Sequence, residues 1–217
     1  MIRAFIQARM SSARFPGKVL APLDGRPVIA HVVERVAQAI PLRQIVVSTS
    51  ADRSDDPLAS YVPQLGVSVH RGPLDNVFRR LQLCLNAHPC TWFFRICADS
   101  PLLDGALLQT MAAYHERADL DLITNIHPRT FPRGRSLELL LANTYAAIEA
   151  SRLSAQEQEH VTAVYYVQPT RFRILNIDSG DPSLAKQSVA VDRVDDLSRL
   201  EQLLRESSSP VIEALHE

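Results

Sequence analysis

Short apolar runs alternate with amphipathic segments along most of this chain, and that alternation limits its folds more than any other feature. Ile2 to Ile6, Gln44 to Thr49, Val67 to His70, Trp92 to Ile96 and Leu122 to Thr124 read as short buried strands. Between them lie helical patterns. One follows Pro27 with a stripe of Val28, Ile29, Val32, Val33, Val36 and Ile40, and others span Pro57 to Leu65, Asp75 to Asn86 and Asp104 to Arg117. Strand and helix in turn mean an α/β fold, a mostly parallel sheet with helices on both faces. After Asn125 the pattern loosens. A Pro-, Arg- and Gly-rich loop at Ile126 to Ser136 precedes expected strands at Leu137–Leu140, Phe172–Ile177 and Ser188–Val191, with helices at Asn143–Ser151, Glu157–Val167 and Asp195–Arg205.

The first strand opens into a loop with unusual chemistry. Residues 6–20 read Ile-Gln-Ala-Arg-Met-Ser-Ser-Ala-Arg-Phe-Pro-Gly-Lys-Val-Leu and hold Arg9, Arg14, Lys18, the hydroxyls of Ser11 and Ser12, and Gly17. Guanidinium, ammonium and free backbone N–H groups at a strand end make a polyphosphate cradle. Composition by itself favours a plainer reading, a basic surface loop with Pro-Gly punctuation. A P-loop is excluded, because Gly17-Lys18 has no Gly five residues before it and Val19 stands where Ser or Thr would hold magnesium.

Two acidic positions follow apolar runs. Asp99 stands in Arg-Ile-Cys-Ala-Asp-Ser-Pro-Leu, where a carboxylate past a strand end is placed to hold Mg²⁺ or to cap the next helix, although Asp104 is the better cap. Asp192 follows Ser188 to Val191, while Asp195 and Asp196 suit the positive end of the last helix. Arg133 on the Gly-Pro loop suits an anionic group or simple solvation. His160 is a candidate general base, but a lone helical His is more often structural, so it ranks only as site-adjacent.

At 217 residues and 46% hydrophobic, the chain has the size of one sizeable domain, read as residues 1–206 with a loosely held tail over 207–217. A formal net charge of −1 argues against a nucleic-acid binder or an anionic-membrane binder. No apolar run reaches transmembrane length and the N-terminus enters a strand directly, so the expected location is cytoplasmic. Cys84, Cys90 and Cys97 lack Cys-x-x-Cys spacing and read as buried thiols.

The loop closely resembles the N-terminal signature Ile-Gln-Ala-Arg-Met-Ser-Ser-x-Arg-x-Pro-Gly-Lys-Val-Leu of cytidylyltransferases related to CMP-Kdo and CMP-sialic acid synthetases, in the branch of the spore-coat polysaccharide biosynthesis protein F. Further stretches resemble that family in order. Residues 71–80 are similar to its Arg-Gly-Ser-x-Asp-Asp-Val-Leu-x-Arg, keeping Arg71, Gly72, Asp75, Val77 and Arg80, with departures at Pro73 and Asn76. The Asp99 stretch is similar to Arg-x-Thr-x-Asp-x-Pro-Leu, with Cys97 for Thr, and Val191-Asp192 to Val-Asp-x-Pro-Glu-Asp-Leu, with Val194 for Pro. Residues 131–138 and 157–162 are similar to Phe-Pro-x-Gly-Leu-Asp-Val-Glu and Glu-Arg-Glu-His-Val-Thr, with Arg135 and Ser136 departing.

The resemblance implies a Rossmann-like sheet of the glycosyltransferase-A type and transfer of CMP from CTP to a sugar or sugar acid with release of pyrophosphate. It implies Arg9, Arg14 and Lys18 as catalytic cations, Ala8, Ser11, Ser12, Gly17, Arg71, Gly72 and Asp75 as nucleotide contacts, and Mg²⁺ on Asp99 and Asp192. Arg133, Glu138 and His160 fall to the acceptor, and a homodimer is suggested. A glycosyltransferase using a nucleotide sugar would share the fold, but the chain carries the nucleotidyl loop instead. A non-catalytic nucleotide-binding relative would lose the metal pair, and both acids are present.

Overall fold

The computed structural model describes residues 1–117 and 119–208. The chain begins with β1 (Ile2–Gln7), a small hairpin of β2 (Pro22–Leu23) and β3 (Arg26–Pro27), α1 (Val28–Ala37), β4 (Ile45–Ser50) and α2 (Asp56–Tyr61). Next come β5 (Ser68–Gly72), α3 (Val77–Ala87), β6 (Trp92–Cys97), α4 (Gly105–Ala112), β7 (Leu122–Thr124) and β8 (Glu138–Leu141). The rest is helix-rich: α5 (Ala142–Ala146), α6 (Ala155–Glu159), α7 (Ala163–Val167), β9 (Ile174–Asn176) and α8 (Asp195–Ser208). The main sheet has seven strands in the order β5-β4-β1-β6-β8-β7-β9. β5, β4, β1 and β6 run parallel, β8 is antiparallel to both its neighbours, and β9 pairs parallel to β7. This is the expected α/β architecture, with one reversed strand.

The period-two alternation of the strands explains the layers. Ala4, Ile6, Ile45, Val47, Phe94 and Ile96 face one cluster with Val32, Val36, Leu58, Leu108 and Met111 of α1, α2 and α4. Phe5, Val46, Phe93, Leu122 and Leu140 face the other, with Phe78, Leu81, Tyr145 and Tyr165 of α3, α5 and α7. Both sheet faces are therefore covered. The chain runs outward from β1 through β4 to β5, then returns across the sheet to place β6 on the other side of β1. In open α/β sheets the crevice beside such a reversal, at the carboxyl ends of the strands, is where ligands sit. Here that crevice lies between Gln7 and Cys97, which are paired in register.

Several expected elements are shorter than their patterns. The expected helix through Leu65 tightens to a 3-10 turn at Val62–Leu65, because Pro63 has no N–H to extend the α ladder. The expected helix to Arg117 ends at Ala112 and continues as a 3-10 turn to Glu116. The expected helix Asn143–Ser151 is α5 plus a turn at Ala150–Arg152, and the one at Glu157–Val167 divides into α6 and α7 at His160, which has φ −99° and ψ 77°. The strand expected at Ser188–Val191 does not form. Only Ser188 makes a bridge, to Arg133, and the segment is held by Val189 N–H to Arg133 O at 2.7 Å and Val191 N–H to Asp99 O at 2.8 Å. Its backbone is satisfied by two loops, so no strand ladder is needed. Of the tail expected from Ser207, Ser207 and Ser208 end α8, and 209–217 lie outside the described residues. Among the described residues no helix is long and apolar enough to cross a membrane.

Candidate active site

A cavity of about 390 Å³ opens at the carboxyl ends of β1 and β6. Its lining includes Ala8, Arg9, Ser12, Arg14 and Lys18 from the first loop, Asp99 after β6, Asp192 before α8, and His160 at the α6–α7 break. Segments far apart in sequence thus meet where the strand order predicts a ligand.

The loop is closed on itself at one peptide. Met10 C=O accepts Ser12 N–H at 3.0 Å and Gly17 N–H at 2.8 Å. Gly17 makes this possible with φ +77°, a left-handed conformation that side chains with a Cβ disfavour. Ser11 and Gly17 do not line the cavity; Gly17 shapes the loop instead.

Lys18 is the electrostatic centre. Its side chain is 11% exposed, and Nζ donates to Asp99 Oδ2 at 2.6 Å, Val191 O at 2.8 Å and Asp192 Oδ1 at 3.5 Å. Asp99 and Asp192 therefore face one point, 27% and 34% exposed. Arg14 pairs with Asp192 at 2.8 Å, and Arg9 with Glu159 at 2.7 Å. Each cation of the loop already faces a carboxylate across the cavity. Even so, five cationic side chains (Arg9, Arg14, Lys18, Arg80 and Arg95) line it against three carboxylates (Asp99, Glu159 and Asp192). An excess of positive charge in a concave, partly desolvated site suits a polyanion.

The helix-start acids divide as their chemistry requires. Asp196 Oδ2 accepts the N–H groups of Asp192 and Arg193, each at 2.8 Å, and Asp104 caps α4 through Ala106 and Leu107. Neither Asp99 nor Asp192 serves as such a cap, which leaves both carboxylates to the cavity.

Gly134 seats the segment that carries Asp192. It is buried with φ +91°, and a Cβ there would come within 2.6 Å of Ala190 N and Val189 C. Gly134→Ala is expected to cost about 2–3 kcal/mol and to unseat residues 188–192. A urea midpoint equal to wild type would refute that close fit.

Several sequence-assigned residues lie elsewhere. Arg71 does not line the cavity; its guanidinium bonds Ser50 O and Asp52 O, each at 2.8 Å, and pairs with Asp56 at 2.7 Å. Gly72 packs against Arg80, whose Cγ would lie 3.0 Å from an added Cβ. Asp75 is exposed, and Asn76 caps α3 by accepting Arg79 N–H at 2.7 Å. Arg133 is exposed and contributes backbone bonds to Gln187 and Val189. Glu138 is fully buried, so it faces no open space: it accepts from Arg95 Nη1 at 3.1 Å and from Tyr166 OH at 2.6 Å. Burial, reinforced by Glu138, holds the Tyr166 hydroxyl well above its ordinary pKa, so it stays a donor. Glu138 thus acts through Arg95, which reaches the cavity and also bonds Gln7.

The structure also places in the site Arg80 and Arg95, which stand in the motifs without an assigned role, and Glu159. Arg80 is 1% exposed, donates to Pro73 O at 2.9 Å, and leaves its buried Nε without a partner. Burial pulls its guanidinium below the ordinary value, against the pull of Asp55. Arg80 and Arg95 were visible as arginines inside apolar segments, an expensive placement unless the charge is used. Glu159 had no such signal, since Glu157 and Glu159 look alike in sequence. Glu157 forms a capping box with Ser154, and Glu159 takes Arg9. The cysteines are free, but only Cys84 is buried, and Cys97 lines the cavity. Burial raises the pKa of Cys97 and pushes Cys84 up to about 12.

The chain is similar in sequence and fold to known proteins. The chain is 30% identical over 212 residues to the spore coat polysaccharide biosynthesis protein SpsF of Bacillus subtilis, covering 93% of this chain and 85% of that one. Its fold superposes on a cytidylyltransferase of Leptospira borgpetersenii with a TM-score of 0.89 at 23% identity, covering 94% of this chain and 87% of that one. A CMP:2-keto-3-deoxy-manno-octonic acid synthetase complexed with CTP gives 0.71 at 17% identity, with 95% and 99% coverage. The sequence profile of the cytidylyltransferases matches residues 4–214, and the chain belongs to that family.

Proposed function

We propose that this cytidylyltransferase family enzyme transfers CMP from CTP to a hydroxyl of a sugar or sugar acid, releasing pyrophosphate, for surface polysaccharide synthesis. One observation carries the reading. Lys18, Asp99 and Asp192 converge in a single cavity beside the cationic loop, at the point where the sheet reverses its strand order.

The residues fit a divalent cation. Two partly exposed carboxylates already share one cation, the Lys18 ammonium, and hard oxygen donors of this kind suit Mg²⁺. Among the described residues no group of three or more His, Cys, Asp or Glu is placed to hold a metal. The phosphates and water would supply the remaining ligands, as is usual for Mg²⁺ in nucleotide sites. When bound on Asp99 and Asp192, the ion would neutralise charge on the phosphate oxygens.

The protein's own part is positioning and charge balance. Displacement at a phosphorus needs the attacking oxygen in line and charge stabilised on the leaving group, with little covalent help. Arg9, Arg14 and Lys18 would exchange their carboxylate partners for phosphate oxygens, while the Ser12 hydroxyl and loop amides would orient the chain of phosphates. Arg95, fixed from behind by Glu138, faces the same cavity and would orient the acceptor.

A panel of CTP, UTP, ATP and GTP with Mg²⁺ tests this. CTP at a hundredfold excess over Kd should stabilise the protein by about 2.7 kcal/mol, roughly 5–10 °C in Tm, and the others less. A preference for UTP would overturn the assignment.

A further inference from the structure

The turn between β4 and α2 holds a buried carboxylate with no part in the transfer outlined above. Asp55 is 0% exposed, and its Oδ1 accepts the N–H of Met10, 45 residues away, at 2.6 Å. Its Oδ2 accepts Ser50 N–H at 3.0 Å and the Ser50 hydroxyl. Burial alone would raise this carboxyl, but the bonds from Met10 and Ser50 outweigh it and hold it below the ordinary 3.8. Asp55 is therefore a fixed anion with its acceptor positions in use.

The bond it makes to Met10 is topologically special. Met10 is the peptide whose C=O closes the cationic loop by accepting Ser12 and Gly17. Arg9 lies just before it, Arg14 inside the closed segment and Lys18 just after. On its outer side the Asp55 turn is clamped by Arg71, through Ser50 O, Asp52 O and Asp56.

We propose that Asp55 is a positioning residue for the phosphate-binding loop, fixing the Met10 peptide to the β4–α2 turn, and that Arg71 serves nucleotide binding through this turn rather than by touching the nucleotide. The proposal rests on the reading of the loop as a triphosphate cradle. Three cations bind a polyanion tightly only if their spacing is set beforehand, because a mobile loop must lose its freedom on binding.

The test uses the full chain and three variants. In Asp55→Asn the amide keeps the size but turns an NH₂ toward either Met10 N–H or Ser50 N–H. Hydrogen exchange of residues 10–17 should speed up about tenfold or more, and calorimetric CTP affinity with Mg²⁺ should fall about 10- to 100-fold. Turnover at saturating CTP should stay within a few-fold, so the loss appears in KM. Arg71→Met should move both readouts the same way by a smaller factor. Ser50→Ala removes a bond to Asp55 but none to Met10, so it should lower Tm and leave loop exchange and CTP affinity as in wild type.

Wild-type loop exchange in Asp55→Asn overturns the proposal. A loosened loop with unchanged affinity overturns it as well. Weaker CTP binding in Arg71→Met with wild-type loop exchange would make Arg71 a direct contact and refute its part. Failure of the wild type to bind CTP counts against the nucleotide reading, and the exchange measurement then decides the role of Asp55 by itself.

Discussion

Asp99→Asn and Asp192→Asn are each expected to lower metal-dependent turnover by about a thousandfold, which corresponds to about 4 kcal/mol of transition-state stabilisation. Both oxygens face the same cation in the free protein, so either substitution removes half of the donor set. A neutral amide is a poor ligand for a hard divalent ion. The fold should tolerate the change. With Asp99 gone, Lys18 keeps Val191 O and Asp192, and with Asp192 gone it keeps Val191 O and Asp99. The stability cost is then about 1.5–3 kcal/mol, the value of one hydrogen bond to a charged group. On sequence alone, an unpaired acid pair would gain stability by losing a charge; the Lys18 ammonium reverses that sign. Pyrophosphate release against Mg²⁺ concentration is the measurement. Wild-type turnover with an unchanged metal titration in both variants would remove the basis for a metal site here.

The second large effect is expected at Lys18. Lys18→Ala removes the donor that joins the loop to Asp99, Val191 and Asp192, and leaves two carboxylates facing each other. CTP affinity should fall about 100-fold and turnover by about 100- to 1000-fold, the range for loss of a positioned charge. Stability should fall by about 3 kcal/mol, since a nearly buried ion pair loses one partner. Lys18→Arg should not restore activity, because the planar fork is larger than the space around a side chain that is 11% exposed. Unchanged CTP affinity in Lys18→Ala, measured by calorimetry, would dismiss the cradle.

The sequence by itself determined the features that depend on local order. Apolar runs at period two specified the strands, and the stripe from Val28 to Val36 specified α1, because periodicity reports which face is buried without reference to a partner. The loop was legible for a similar reason. Its cations, serines and Gly17 are neighbours in sequence, and although their composition suits a plain basic loop, their order over residues 6–20 matches the family signature.

What the tertiary structure decided depends on strand order and on pairs remote in sequence. Lys18 meets Asp99 across 81 residues and Asp192 across 174, and Arg9 meets Glu159 across 150. Asp192 reaches the site without the expected strand, because Val191 is tied directly to Asp99 O. Glu138 and Arg71 carried motif signals, yet neither lines the cavity. One is buried beneath Arg95, and the other clamps the turn that holds Asp55. A motif marks a side chain that the site needs, but burial for Glu138 and the partners Ser50, Asp52 and Asp56 for Arg71 decide which group each one holds in place. Burial is a property of the packed sheet and helices, and no local stretch of sequence contains it.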